Sequence, residues 1–162
     1  MARYDASSAE ILVFTFKEGL LSAVAHDLKL EATRFTLDVE GSIAHLELDA
    51  TSLRVVCGMK DGADSPTSVP TSKFSEIEKN ATHDVLEAKK FSSIQFTASQ
   101  VTQTEVVGKL TLHGQTQEIR GPRTGNAAEF RIDQRAFGIK PYRAMLGALK
   151  VKREVIVRVA LK

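Results

Sequence analysis

The sequence holds a single cysteine, Cys57. One thiol cannot form an internal disulfide, and it excludes a CxxC zinc or redox centre. No apolar stretch approaches the roughly 18 residues that a membrane-spanning helix needs. The start, Met1-Ala2-Arg3-Tyr4-Asp5, offers no basic segment followed by an apolar one. No signal peptide is therefore expected; a cytoplasmic location is the simplest expectation, or a periplasmic one if a leader has been removed. An excess of one charge is lacking too: 22 Lys and Arg face 20 Asp and Glu, for a net charge of +2. That balance argues against nucleic acid as a partner but leaves room for a local basic patch.

What is present is ordinary globular material. A chain of 162 residues suits one domain spanning 1–162. At this size folding buries roughly 68–70% of the surface of the unfolded chain, so no staples are needed. Period-2 alternation of apolar and polar residues recurs along most of the chain, which predicts half-buried strands. It is clearest from Val151 to Leu161, where Val151, Arg153, Val155, Val157, Val159 and Leu161 share one face. Ala44 to Ala50, Glu105 to Leu112 and Glu129 to Asp133 alternate in the same way, and Ala9–Phe16 and Ser93–Val101 also read as strands. Between Asp27 and Glu40 the phase slips, with Leu28, Leu30 and Ala32 on one parity and Phe35, Leu37 and Val39 on the other. A bulge near Thr33-Arg34 would restore one buried face.

Two helices are expected among the strands. Phe74, Ile77, Ala81, Val85 and Ala88 fall at helical spacing, which predicts a helix of three to four turns packed on the sheet. Pro141 opens a short second one, with Gly147 near its end. Gly58 to Thr71 reads as a loop. Seven or eight strands without βα alternation predict a mainly β fold, an antiparallel eight-stranded barrel. Such a barrel is either filled by its own side chains or holds one small ligand.

Four segments in order resemble the YceI-like polyisoprenoid-binding family: Leu20-Leu21-Ser22-Ala23-Val24-Ala25-His26-Asp27-Leu28, Phe74 to Phe96, Val107 to Thr116 with its Gly-x-Leu-Thr-Leu-His-Gly-x-Thr core, and Gln134-Arg135-Ala136-Phe137-Gly138. The resemblance covers nearly the whole chain. It implies a bacterial, lipocalin-like barrel with a polyprenyl chain, isoprenoid quinone or fatty acyl ligand in an apolar tunnel, with no cofactor and no catalysis. The connection from Gly114 to Gln134 is shorter than is usual in that family.

The candidate ligand-binding residues are Leu28, Leu46, Leu48, Phe96, Leu110 and Phe130 along the strands. Phe137, Met145, Val155 and Val157 join them towards the C-terminus. Arg135 to Arg153 carries six cations and no acid. Within it, Arg143 and Arg153, with Lys140, are expected at one mouth beside the Pro141 turn, where they would meet an anionic head or an acidic membrane surface. Arg153 has the inward parity of the last strand, so it needs water, a ligand or a carboxylate such as Glu31 or Asp133.

Other readings remain open at this point. One is a packed barrel, interaction or stress-related, with no ligand; another is a homodimer. A hydrolase using Ser22 and His26 is a third, although Asp27 is poorly placed to orient the imidazole. His45, His83 and His113 show no metal-ligand spacing.

Overall fold

The computed structural model describes residues 1–19, 26–144, 147 and 149–162. Three short elements open the chain: β1 (Ala2–Tyr4), β2 (Ala9–Thr15) and β3 (Lys17–Glu18). Two long hairpin arms follow, one made of β4 (Asp27–Ala32) and β5 (Phe35–Glu40), the other of β6 (Ile43–Asp49) and β7 (Leu53–Lys60), then a short β8 (Ala63–Ser65). A helical stretch leads into β9 (Ser93–Val101), β10 (Glu105–Leu112), β11 (Gln115–Thr124) and β12 (Ala127–Asp133). The chain finishes with β13 (Arg143–Ala144), β14 (Leu149–Val151) and β15 (Glu154–Leu161).

Twelve strands form one antiparallel sheet in the order β1-β5-β6-β9-β10-β11-β12-β15-β2-β4-β7-β8; β13, β14 and β3 make a separate three-stranded sheet. The fold is thus mainly β and antiparallel, as the alternation requires, but the ladder has twelve strands with ends at β1 and β8 rather than eight. The inward side chains of the large sheet meet in one core cluster that includes Ile11, Phe35, Leu46, Phe96, Leu110, Phe130, Phe137 and Val155. Each such side chain contributes about 1.5–3 kcal/mol by leaving water.

The phase slip at Thr33-Arg34 is a corner. There β4 ends and β5 begins, and the facing arm turns in step through a 3₁₀ turn at Ala50–Ser52. The Thr33 N–H donates to Ser52 O and the Asp49 N–H to Arg34 O, so the two arms bend together without stranding backbone donors. Asp49 caps the turn: the Thr51 N–H and hydroxyl both donate to its Oδ1, at 2.8 and 2.6 Å. These bonds to Thr51, with Arg34 beside it, outweigh burial and hold the Asp49 carboxyl below the usual carboxylate range. Asp49→Ala should therefore lose about 1 kcal/mol at neutral pH. A depressed native pKa contributes stability that is present above the unfolded value of about 3.9 and is lost as pH falls through the native one. Urea titrations of parent and variant should then converge in acid; a gap that stays constant with pH would remove the charged cap from the account.

The expected strands from Ala9, Ala44, Ser93, Glu105 and Glu129 form with small shifts at their ends. The last alternating segment breaks at Lys152-Arg153 into β14 and β15. Val155 is buried, Val157 and Val159 pack on the core, and Glu154 is exposed.

Three regions depart from the sequence reading. Gly58–Thr71 is not all loop, because β7 and β8 pair across Asp61-Gly62. Both residues have positive φ (53° and 77°), the requirement of a tight I′ hairpin turn. The short Gly114–Gln134 connection contains β11, which is exposed at most positions and so carries no apolar period. Pro141 opens no helix: Arg143–Ala144 pairs antiparallel with Leu149 and Lys150, and the short helical piece is instead the 3₁₀ turn Gln134–Phe137. Met145 and Leu146 lie outside the described residues.

The main helix does form. A 3₁₀ turn over Thr71–Lys73 leads into α1 (Phe74–Lys79) and a π-helical turn over Asn80–Val85. The Val55 N–H, left over where the register slips between β4 and β7, donates to Glu78 Oε2 at 2.8 Å. That bond moors the helix to the sheet.

Candidate functional site

Inward-pointing side chains do not fill the sheet completely. They enclose a cavity of about 380 Å³, within the roughly 300–1,000 Å³ range of small-molecule pockets. Its walls are rungs of aliphatic side chains: Val13 from β2, Leu28 and Leu30 from β4, Leu46 and Leu48 from β6, Leu110 and Leu112 from β10, Ile132 from β12, and Val155 and Val157 from β15. Ile77, Ala81 and Val85 of the helical stretch, with Leu86 just after it, cover one side of the opening; Ile139, Tyr142, Leu149 and Val151 frame the other. A wider, open depression near Asp5 and Glu47 is polar, and its Arg34 and Asp49 are ion-paired to each other at 2.9 Å. It offers no comparable apolar surface.

The floor is aromatic. Phe96 stands between Leu46 and Leu110 in register, and Phe130 stands next to Val157, which in turn pairs with Val13. All four aliphatic partners line the cavity, whereas Ala44, Ala98, Val106 and Val159, further along the same strands, do not. The two rings pack edge to face with centroids 5.6 Å apart. Each lies over a glycine on the neighbouring strand: a Cβ on Gly108 would stand 2.6 Å from Phe96 Cζ, and one on Gly121 2.7 Å from Phe130 Cδ1. A side chain at either glycine would collide with the ring that lies over it.

The cover is tied down at its far end. Glu87 follows the helix, and its Oε2 accepts from His113 Nε2 at 2.5 Å. His113 Nδ1 faces Phe137 O at 3.2 Å, and Phe91 packs against the imidazole. One side chain thus joins the segment after the helix, the β10–β11 turn and the 3₁₀ turn before β13.

Asn80 of the helical stretch is one polar residue of the wall, and several others lie beside the small sheet. Lys17 is level with Val151 across the β3–β14 pair, and Lys150 with Glu18. The Lys17 N–H donates to Asp27 Oδ1 at 2.8 Å, which sets His26 beside it, and the Val151 N–H donates to Tyr142 O. Lys17, His26, Tyr142 and Lys150 all line the cavity at this end. Gln134, only 7% exposed, lines it too and donates from Nε2 to Lys152 O.

Of the residues singled out in the sequence, Leu28, Leu46, Leu48, Leu110, Val155 and Val157 come together on the wall. Phe96 and Phe130 are placed in the packed floor beneath it, and Phe137, 2% exposed, in the core. They are too well packed against neighbours to face open space. Arg143 is exposed on β13, one strand away from Lys150. Arg153 does not point inward, because the break before β15 releases it to the surface, where its guanidinium bonds the Asp133 carboxylate. That pair raises the Arg153 pKa and, with the Arg135 N–H, lowers that of Asp133. Met145 and Ser22 lie outside the described residues, so the Ser22–His26 pairing has no described geometry. Among the described residues no group of His, Cys, Asp and Glu gathers as a metal site.

Sequence reasoning missed the helix-borne cover residues as cavity wall, and it missed Lys17, whose β3 is two residues long and carries no period. Ile77, Ala81 and Val85 were legible as an apolar helix face, but a face that packs and a face that roofs a void look alike in sequence.

A family model described as the YceI-like domain matches residues 4–162. Comparison with curated protein sequences gives no significant match. The chain is similar to the crystal structure of Burkholderia cenocepacia BcnA, with a TM-score of 0.61 and 16% identity over 94% of both chains. It is also similar to a polyisoprenoid binding domain from Saccharophagus degradans, with a TM-score of 0.56 and 12% identity, covering 94% of this chain and 91% of that one. At such identities the likeness is one of fold, and the function has to be argued from the site.

Proposed function

The chain belongs to the YceI-like family, and from that premise we propose that it holds one long-chain apolar ligand, a polyisoprenoid, isoprenoid quinone or fatty acyl chain, inside its sheet for carriage or sequestration. The observation that carries the proposal is the roofed aliphatic cavity of about 380 Å³. A cavity of this size weighs against a packed interior serving only as an interaction module. The Saccharophagus relative, named for polyisoprenoid binding, supports the ligand class. Burial yields about 0.8 kcal/mol per CH₂, so ten buried carbons contribute about 8 kcal/mol gross. Association costs about 4–15 kcal/mol, which favours long chains over short ones.

The same reading includes closure into an eight-stranded barrel. It counts β4 with β5, and β6 with β7, each as one bent strand. In support, β2 pairs with β4 at one end of the strand order while β9 pairs with β6 at the other, and the two arms pair with each other through both halves. A closed sheet leaves no edge around a ligand.

The test is Val157→Phe, which puts a ring into the middle of the wall. Displacing about two methylenes from the cavity removes about 1.6 kcal/mol of ligand burial, roughly tenfold in affinity. Native mass spectrometry with lipid extraction should find a bound chain in the parent. Titration with that lipid should show the loss in the variant, whose circular dichroism stays that of the parent. Extraction that recovers no lipid from the parent, or equal affinities of parent and variant for the lipid recovered, would overturn the proposal.

A further inference from the structure

We infer that a proton held by His113 and Glu87 latches the cover over the cavity: with it, His113 ties both lips of the opening together, and without it the cover is released. This rests on the apolar-ligand reading and adds how passage of the ligand is controlled. What each ring nitrogen faces decides the matter. Nε2 meets Glu87 Oε2 at 2.5 Å, and Nδ1 meets the Phe137 carbonyl at 3.2 Å. A carbonyl oxygen only accepts, and so does an ionised carboxylate, whereas a neutral imidazole has one N–H to give. Both contacts are hydrogen bonds only if the pair holds one proton more than a neutral imidazole beside an ionised carboxylate. The count is the same whether that proton sits on Nε2 or on Oε2. When it leaves, a nitrogen lone pair is aimed at an oxygen lone pair and one of the two bonds is lost.

The two bonds belong to opposite lips. Glu87 directly follows Leu86, which lines the cavity from the cover; Phe137 lies two residues before Ile139, which lines it from the other side. His113 is well fixed between them, with 12% of its side chain exposed and Phe91 against the ring. Among the described residues only Asp61, Glu87 and His113 hold positive φ without being glycine. Asp61 and His113 each open a two-residue hairpin turn with the glycine that follows. Glu87, at 49°, instead ends a helix where glycine is the ordinary residue, and it keeps a carboxylate at that point. The cover has a second mooring, the Val55 N–H on Glu78. Between the two moorings lies the π-helical turn Asn80–Val85, a rare form often found at functional sites. It carries Asn80, Ala81 and Val85 of the wall, so freeing the Glu87 end frees the roof itself. No other charged group on the elements around His113 takes the place of Glu87. Lys90 lies over the Phe91 ring at 5.2 Å, Lys109 and Glu118 are level with each other on the hairpin, and Asp133 accepts from Arg153 and from the Arg135 N–H. His83, Asp84, Lys89, Arg135 and Lys140 are exposed.

The experiment follows release of all-trans-retinol, an uncharged fluorescent isoprenoid alcohol, from the delipidated and reloaded full-length protein into phosphatidylcholine vesicles. It runs from about pH 5.5 to about pH 9, a window that spans the ordinary titration of imidazoles. Release by the parent should be slow on the acid side and roughly tenfold or more faster on the alkaline side, as one charge-assisted bond is lost. In the ligand-free protein, amide exchange along Thr71–Val85, corrected for the pH dependence of unstructured peptide, should lose protection over the same interval while the β2–β15 ladder keeps it. His113→Asn retains the turn, because Asn-Gly is a dipeptide such turns prefer, but it removes the proton; its release should be fast at every pH. Glu87→Gln offers an amide that can accept from a charged ring or donate to a neutral one, so its release should be slow with a flat profile, which a merely structural contact would not produce. His83→Gln, on the exposed face of the same helical stretch, should keep the profile of the parent. A parent that is flat with pH in both readouts, or a pH dependence that survives in His113→Asn, overturns the latch and leaves the apolar cavity standing. If retinol does not bind, that result counts against the apolar-ligand reading, and the exchange of the ligand-free protein still decides the latch.

Discussion

Phe130→Ala should cost about 3–5 kcal/mol of stability, the usual cost of deleting a buried phenyl ring, and should at the same time lengthen the chain that the protein prefers. The ring is 5% exposed and braced by Phe96 and by the backbone of Gly121, so little around it can collapse into the space. The new void joins the floor of the existing cavity. A ligand chain some carbons longer can then regain part of the lost burial at about 0.8 kcal/mol per CH₂. The thermal midpoint of the variant should recover more with a long-chain ligand than with a short one, whereas the parent should show no such gain from the longer chain. Denaturant unfolding and a chain-length series measured on both proteins check this. An unchanged length preference would mean that Phe130 is core alone and that the cavity ends elsewhere. A companion change, Gly121→Ala, should also destabilise, because the added Cβ would lie 2.2 Å from Glu129 O as well as against the Phe130 ring, and backbone cannot yield as a side-chain tip can.

Phe137→Ala should be as costly, again about 3–5 kcal/mol, but with a different signature. Phe137 is among the largest side chains that are fully buried, and it sits where the 3₁₀ turn Gln134–Phe137 brings the chain from β12 towards the small sheet. Its carbonyl meets His113 Nδ1, and His113 in turn holds Glu87. Removing the ring unseats this connection from below. Loss should therefore appear both as lower global stability in urea and as faster amide exchange along Thr71–Val85, far away in sequence. If exchange in the helix stays at parent rates while global stability drops, the tie between the 3₁₀ turn and the cover is not transmitted through His113.

The parts of this molecule legible in its sequence are those where one face is wet and the other dry. β9, β10 and β12 alternate because they are so divided, and the slip between Ala32 and Phe35 announced the corner. β11 escaped because it is exposed at most positions and contributes Gly121, which has no side chain to read. β8 escaped as well, although Asp61-Gly62 is the dipeptide that a tight hairpin turn prefers. The Pro141 segment was misread because Pro at a first helical turn and Pro at the start of an extended segment have the same φ; what decides is pairing with Leu149–Val151, a tertiary fact. At the site, the aliphatic wall followed from parity, but its ends did not. Phe96 and Phe130 share the inward parity of Leu46 and Val157, and only the glycines across the sheet make floor of one pair and wall of the other. Arg153 had inward parity by a count that assumed an unbroken strand.

The ladder between β2 and β15 ties Ile11 to Val159 and Ala9 to Leu161, nearly the whole length of the chain apart. Contacts of such separation carry the largest loop-closure entropy and slow folding. On a ribosome, β2 therefore waits until the whole stretch from β3 to β15 has been made before one of its two neighbours exists. During that wait Ile11 and Val13 present an unpaired edge of the sort that recruits other chains. Truncations that remove β15 should accordingly aggregate, where loss of the end strand β8 would be tolerated far better.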